Sequence, residues 1–163
     1  MKTTIATLSL LAALLTATAT PTASAEPTRQ SATGSDQLHL GLPLRTFSFT
    51  AHVGTDGTAT GEAQIDNRAS GARDHFEIDC LNVLGNIAVV SGIAWSATGP
   101  GNTNGDGAIF AVEDNGQGAT AAPDRVTYAY TGSGLVCTDV HSPADLDPSL
   151  FYDAEGGNIQ IHS

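Results

Sequence analysis

The sequence predicts an all-β protein, an antiparallel β-sandwich or a flattened β-barrel of seven to eight short strands. Three observations predict it. From Leu44 onward apolar and polar residues alternate at a period of two, the pattern of strands with one face buried and one wet. No segment of that region repeats its apolar residues at helical spacing. Clusters of Gly, Pro, Asn and Asp interrupt the chain at intervals that suit short strands. Sandwich and barrel differ in how the sheet edges close, which periodicity does not encode.

The chain opens with Lys2, an apolar stretch from Ile5 to Leu15 and the small-x-small triplet Ala23-Ser24-Ala25. This order predicts a secretory signal peptide over residues 1–25, with Glu26 as the new N-terminus. The apolar stretch is too short to cross a hydrocarbon core, which takes about 20 residues. Residues 26–43, rich in Ser, Thr and Gly, read as a flexible lead-in. Residues 44–163 read as a single all-β domain.

Arg45 to Val53 alternates, with Phe47, Phe49, Ala51 and Val53 on one side. Thr58 to Asp66 alternates too, with Ala59, Gly61, Ala63 and Ile65 on one side. A two-residue Asp56-Gly57 turn would set apolar against polar residues. A three-residue loop with Gly57 left-handed pairs 53 with 59 and 49 with 63, keeping both apolar sets on one face. After a turn at Asn67 to Gly71, Arg73 to Asn82 is a strand with Phe76, Ile78 and Cys80 inward and His75, Glu77 and Asp79 outward. Past the Gly85-Asn86 turn, Ile87 to Trp95 is apolar on both faces and reads as a fully covered central strand. A Gly/Asn/Pro loop over 96–107 leads to a strand at Ala108 to Glu113, and a loop from Asp114 to Asp124 to a strand at Arg125 to Thr131. A short strand around Val136-Cys137, a stretch from Ser142 to Gly157 that is mostly loop with room for a turn of helix at Ala144–Leu146, and a strand at Asn158 to His162 complete the chain. Most of the aromatic residues, a set that includes Trp95, fall on strands at inward positions and read as core; only Phe151-Tyr152 stands where a sugar-binding platform is plausible.

The 163 residues carry 17 acidic and 6 basic side chains, a net charge of −11, and 40% are hydrophobic. That is apolar enough for a core. Without the leader, the basic side chains are five arginines: Arg29, Arg45, Arg68, Arg73 and Arg125. Such a chain has no basic patch for nucleic acid and no segment for membrane insertion. Cys80 and Cys137 are the two cysteines. In an exported protein they predict one disulfide, worth about 4 kcal/mol in the chain-entropy account.

Three stretches carry a resemblance: Ile78 to Gly92, with its Cys80-Leu81-Asn82-Val83-Leu84-Gly85-Asn86 run; Val112 to Gly118 continuing to Pro123-Asp124; and Gly157 to His162. Together they resemble a family of small secreted, largely uncharacterised actinobacterial proteins related to domains labelled post-COAP-1. The resemblance spans roughly residues 45–162 and implies an exported all-β domain. It brings no catalytic residues.

Several constellations are candidates for chemistry. Asn102, Asn104 and Asp106, with Gly107 next and Glu113 at the twelfth position, match the spacing of a calcium loop, in which hard oxygens wrap one ion. Only Asp106 and Glu113 are charged there, Gly99-Pro100-Gly101 rules out an incoming helix, and the plain alternative is a loop between strands. Asp114 and Asp124, beside Glu113, form a second acidic loop that can hold a cation or simply make turns. His52, Glu62, His75, Glu77 and Asp79 share the polar face of the early sheet, as a metal or acid–base set or as a solvated face. His141, Ser142 and Asp145 have hydrolase residue types without a nucleophile elbow.

The expected function is that of a secreted, non-catalytic β-domain that binds an unidentified extracellular or cell-wall partner through its long loops. No catalytic residue is assigned and no cofactor is required. The alternatives are a calcium-binding module using the 102–113 loop, or a small extracellular hydrolase.

Overall fold

The computed structural model describes residues 29–39, 44–99, 103–118, 120–132, 134 and 136–163. The expected signal peptide lies outside them. The described chain forms ten strands: β1 (Ser31–His39), β2 (Leu44–Val53), β3 (Ala59–Asn67), β4 (Ala72–Leu84), β5 (Ile87–Thr98), β6 (Gly107–Glu113), β7 (Arg125–Thr127), β8 (Tyr130–Thr131), β9 (Phe151–Asp153) and β10 (Asn158–His162). They make one antiparallel sheet in the order β10-β1-β2-β3-β4-β5-β6-β7-β9, with β8 beside β6. The sheet curls into a half-barrel, consistent with the predicted all-β class of flattened barrel or sandwich.

The β2–β3 hairpin has the expected register, with Val53 opposite Ala59 and Phe49 opposite Ala63. Gly57 takes the left-handed conformation at φ 80°, and the Gly54 N–H donates to the Thr58 carbonyl at 2.9 Å across the loop. Phe47, Phe49, Ala51 and Ala63 are buried in the main core with Phe76, Ile78, Val90, Phe110, Val112 and Ile159. Phe49 meets Phe110 edge-on at 5.4 Å between ring centres, an arrangement that adds to the burial of both rings.

Ten strands exceed the expected seven to eight. The stretch read as a flexible lead-in contains β1, which pairs with β2 along its whole length and with β10 on its other side. Its inward positions are Ala32, Gly34, Asp36 and Leu38. Gly34 leaves the room that Phe49 and Ile159 fill. Asp36 faces in because its carboxylate accepts from the Gly157 N–H at 2.8 Å. The expected strand at 125–131 is broken: β7 pairs with Val112 and Glu113, β8 with Ala108 and Ile109. Val136-Cys137 is not a strand, since Cys137–Asp139 is a 3-10 turn. The helical turn expected at Ala144–Leu146 is the 3-10 turn Pro143–Asp145, and the rest of the expected loop holds a further one, Pro148–Leu150, and then β9.

Two bulges between β4 and β5 reset which residues face inward. Ile78 pairs with Gly92 and Cys80 with Ser91, so Asp79 is an extra residue on β4. His75 pairs with Ser96 and Phe76 with Ala94, so Trp95 is an extra residue on β5. Beyond Asp79 the parity switches. Leu81 joins the main core, whereas Cys80 turns to the opposite face, among Ile87, Val89, Ala111 and Cys137. Cys80 is therefore not on the side of Phe76 and Ile78 as expected. There it forms the disulfide with Cys137, their Cα atoms 5.8 Å apart. The bond straps the 137–151 segment over the outer face of β4–β6. Asn82 Nδ2 reinforces it by donating to the Val140 carbonyl at 2.7 Å.

Candidate functional site

The residues proposed for calcium do not converge. Asn102 lies outside the described residues. Asn104 Oδ1 accepts from the Ala97 N–H and Asp106 Oδ2 from the Thr103 N–H, each at 2.8 Å. Glu113 stands at the far end of β6, roughly 20 Å along the strand from Asp106. It is taken up by Arg125, whose Nε donates to Oε2 at 2.6 Å. Residues 108–113 run as a straight strand, so the twelfth position cannot fold back to the loop.

Asp114 and Asp124 close the barrel. Asp124 accepts from the Asn115 and Ile159 N–H groups at 2.9 and 2.8 Å. Asp114 accepts from Gly116 and Ile161 at 2.8 and 3.1 Å. Both carboxylates thus cap N–H groups on the outer edge of β10, where the sheet has no further strand. Their oxygens hold backbone in place, which leaves them poorly disposed toward a cation.

The hydrolase types are likewise absorbed by a turn. Asp145 Oδ2 accepts from the N–H groups of His141 and Ser142, not from the imidazole. These bonds, His141's first, hold the Asp145 carboxyl below its ordinary 3.8. The expected aromatic platform is also in use: Arg125 lies 5.2 Å above the Phe151 ring, and Tyr152 packs edge-on against Tyr128. Among the described residues no three His, Cys, Asp or Glu side chains gather as a metal-binding set.

The polar face of the early sheet has more to offer, through a residue expected in the core. Trp95 is 55% exposed. Trp95 continues the outward parity of Val89 and Ile93 along β5, the bulge changing parity only beyond it, and the His75 ring braces the indole at 5.2 Å between ring centres. Ile93, two residues before, is also exposed. So β5 is covered on both faces only over its first half, where the strapped segment lies. The three-residue step from Ala94 to Ala97, both facing the core, was the available sign of the bulge.

From Trp95 a solvent-open groove of about 700 Å³ runs across the sheet to Asn158. Two rungs of outward side chains line it. One runs Thr33, Thr50, Glu62, Glu77, each opposite the next. The other runs Asn158, Ser35, Ser48, Gln64, His75. At the usual strand spacing the second rung, continued to β5, covers roughly 24 Å. Gly61 lets the sheet bend under the groove, since a Cβ there would collide with the Thr50 carbonyl. His52, from the same predicted set, stands apart and pairs its Nε2 with Thr60 Oγ1 at 2.9 Å. By contrast, the cavity inside the barrel among Phe47, Phe49, Phe110 and Tyr128 measures about 30 Å³, space for a water molecule or two.

No family model matches the chain, and neither a curated protein nor a solved structure matches it. Among the described residues no helix is long and apolar enough to cross a membrane.

Proposed function

We propose that the protein is an exported, non-catalytic binding module that holds an extracellular partner in the groove beside Trp95. One observation carries this reading: the chain's single tryptophan stands in solvent at the head of a lined groove. An exposed indole forgoes the burial that fixes most tryptophans, and covering its free surface on binding is worth about 2–3 kcal/mol. Export is supported by the leader pattern and by the Cys80–Cys137 disulfide, which suits an oxidising compartment.

Retention of the purified protein on cell-wall and culture-medium fractions, compared with Trp95→Ala, tests this reading. The substitution lies on an exposed bulge and leaves the core intact, so the variant melts with the wild type. It loses retention if the groove is the binding surface; equal retention of the two proteins would refute the reading.

A further inference from the structure

We propose that the groove takes a neutral, hydroxyl-rich glycan chain, with one pyranose ring lying on the Trp95 indole. This rests on the groove being the binding surface, and it names the chemistry of the occupant. Four features converge on it. The first is the indole, a flat π face held at a set angle by His75. The C–H face of a sugar ring is apolar and slightly positive, so it complements that face as aromatic edges do.

The second is the composition of the rungs. Thr33, Ser35, Ser48, Thr50, Gln64 and Asn158 line the groove with hydroxyls and amides. Each of these groups both donates and accepts, which is what a sugar hydroxyl requires on each of its faces. The third is charge. Among the described residues Glu62 and Glu77, side by side, are the carboxylates on the two rungs, and no Lys or Arg lines the groove. A phosphate, uronate or nucleic-acid polymer would meet repulsion without a counter-charge. The fourth is shape: the groove is shallow and crosses the sheet from β5 to β10, so it suits an extended chain more than a compact solute.

Trp95 is its own reporter, because its emission is the chain's entire tryptophan signal. The full chain is titrated with soluble cello-, xylo- and chito-oligosaccharides, with oligogalacturonate as the anionic probe and polylysine as the cationic one. The expected result is a saturable change in Trp95 emission with at least one neutral oligosaccharide and none with oligogalacturonate. In Gln64→Ala with Thr50→Ala, the same titration should weaken by about tenfold through lost hydrogen bonds.

Silence toward every neutral sugar, with wall retention still lost in Trp95→Ala, would overturn the glycan and leave the groove reading standing. A response to polylysine alone would replace the glycan by a basic peptide. A concentration-dependent shift accompanied by doubled mass in sedimentation would assign the face to a second copy of the chain. Retention indifferent to Trp95→Ala would remove both the groove and its ligand.

Discussion

Asp124 shows how much one side chain can settle in this fold. It is buried, and one of its oxygens accepts from the N–H of Ile159, itself fully buried. Asp124→Ala would leave that N–H and the Asn115 N–H without their acceptor, a cost of about 1–3 kcal/mol. Urea unfolding checks this, and Asp124→Asn should lose less because its amide oxygen still accepts. A second residue-scale expectation concerns acid. Asp56, Asp145 and Asp147 are each held below 3.8: Asp56 by the Thr58 backbone N–H, Asp145 by that of His141, Asp147 by the Ser149 hydroxyl. A carboxyl whose value is depressed by folding stabilises the fold above its unfolded value, and that contribution is lost as pH falls through the lower, folded one. Melting temperature should therefore hold near neutrality and decline below about pH 4. NMR titration should place these three carboxyls below their ordinary value; midpoints at or above it would contradict the turn geometry.

Strands with regular alternation were legible from sequence, as was the uniformly apolar β5, whereas β1 and β9 were not. The β2–β3 register could be read because a short hairpin must align two clear apolar sets, Phe47 to Val53 and Ala59 to Ile65. β1 escaped because its inward side chains include Gly34 and Asp36, which packing and a backbone N–H require but which leave no apolar rhythm. The bulges escaped for a related reason: one extra residue changes parity, and its mark is as slight as the three-residue step from Ala94 to Ala97. They set the faces of both strands: one puts Cys80 on the face opposite to Ile78, and the other lets Ala97 rejoin the core after Trp95 and Ser96. Excising Asp79 should make the alternation continuous, with Ile78 inward and Cys80 directly after it on the outer face, still opposite Ser91 and toward Cys137. Mass analysis after alkylation without reductant should then show no free thiol, as in the parent chain. Two alkylated thiols in the deletion would mean that Asp79 is not the extra residue and that its loss moves Cys80 off the outer face.

At the scale of the molecule, a single sheet makes two surfaces of different use. Its inner face is the main core, and its outer face is divided. Over β4–β6 the disulfide-strapped segment from Cys137 to Phe151 covers Ile87, Val89 and Ala111. Over β1–β4 and the second half of β5 the outer face stays open, and there the groove lies. The acidic loops that drew attention in the sequence serve barrel closure, whereas the site is built from Ser, Thr and Gln residues that individually read as plain solvent-facing strand positions. Only the sheet, by setting them side by side across six strands, makes them a site.

The most direct test of this division is collisional quenching of Trp95 emission by acrylamide in the folded, unliganded protein. Quenching close to that of the denatured chain, with red-shifted emission in the native state, is the predicted result. Blue-shifted emission that acrylamide reaches only after unfolding would place the indole in the core and contradict the account.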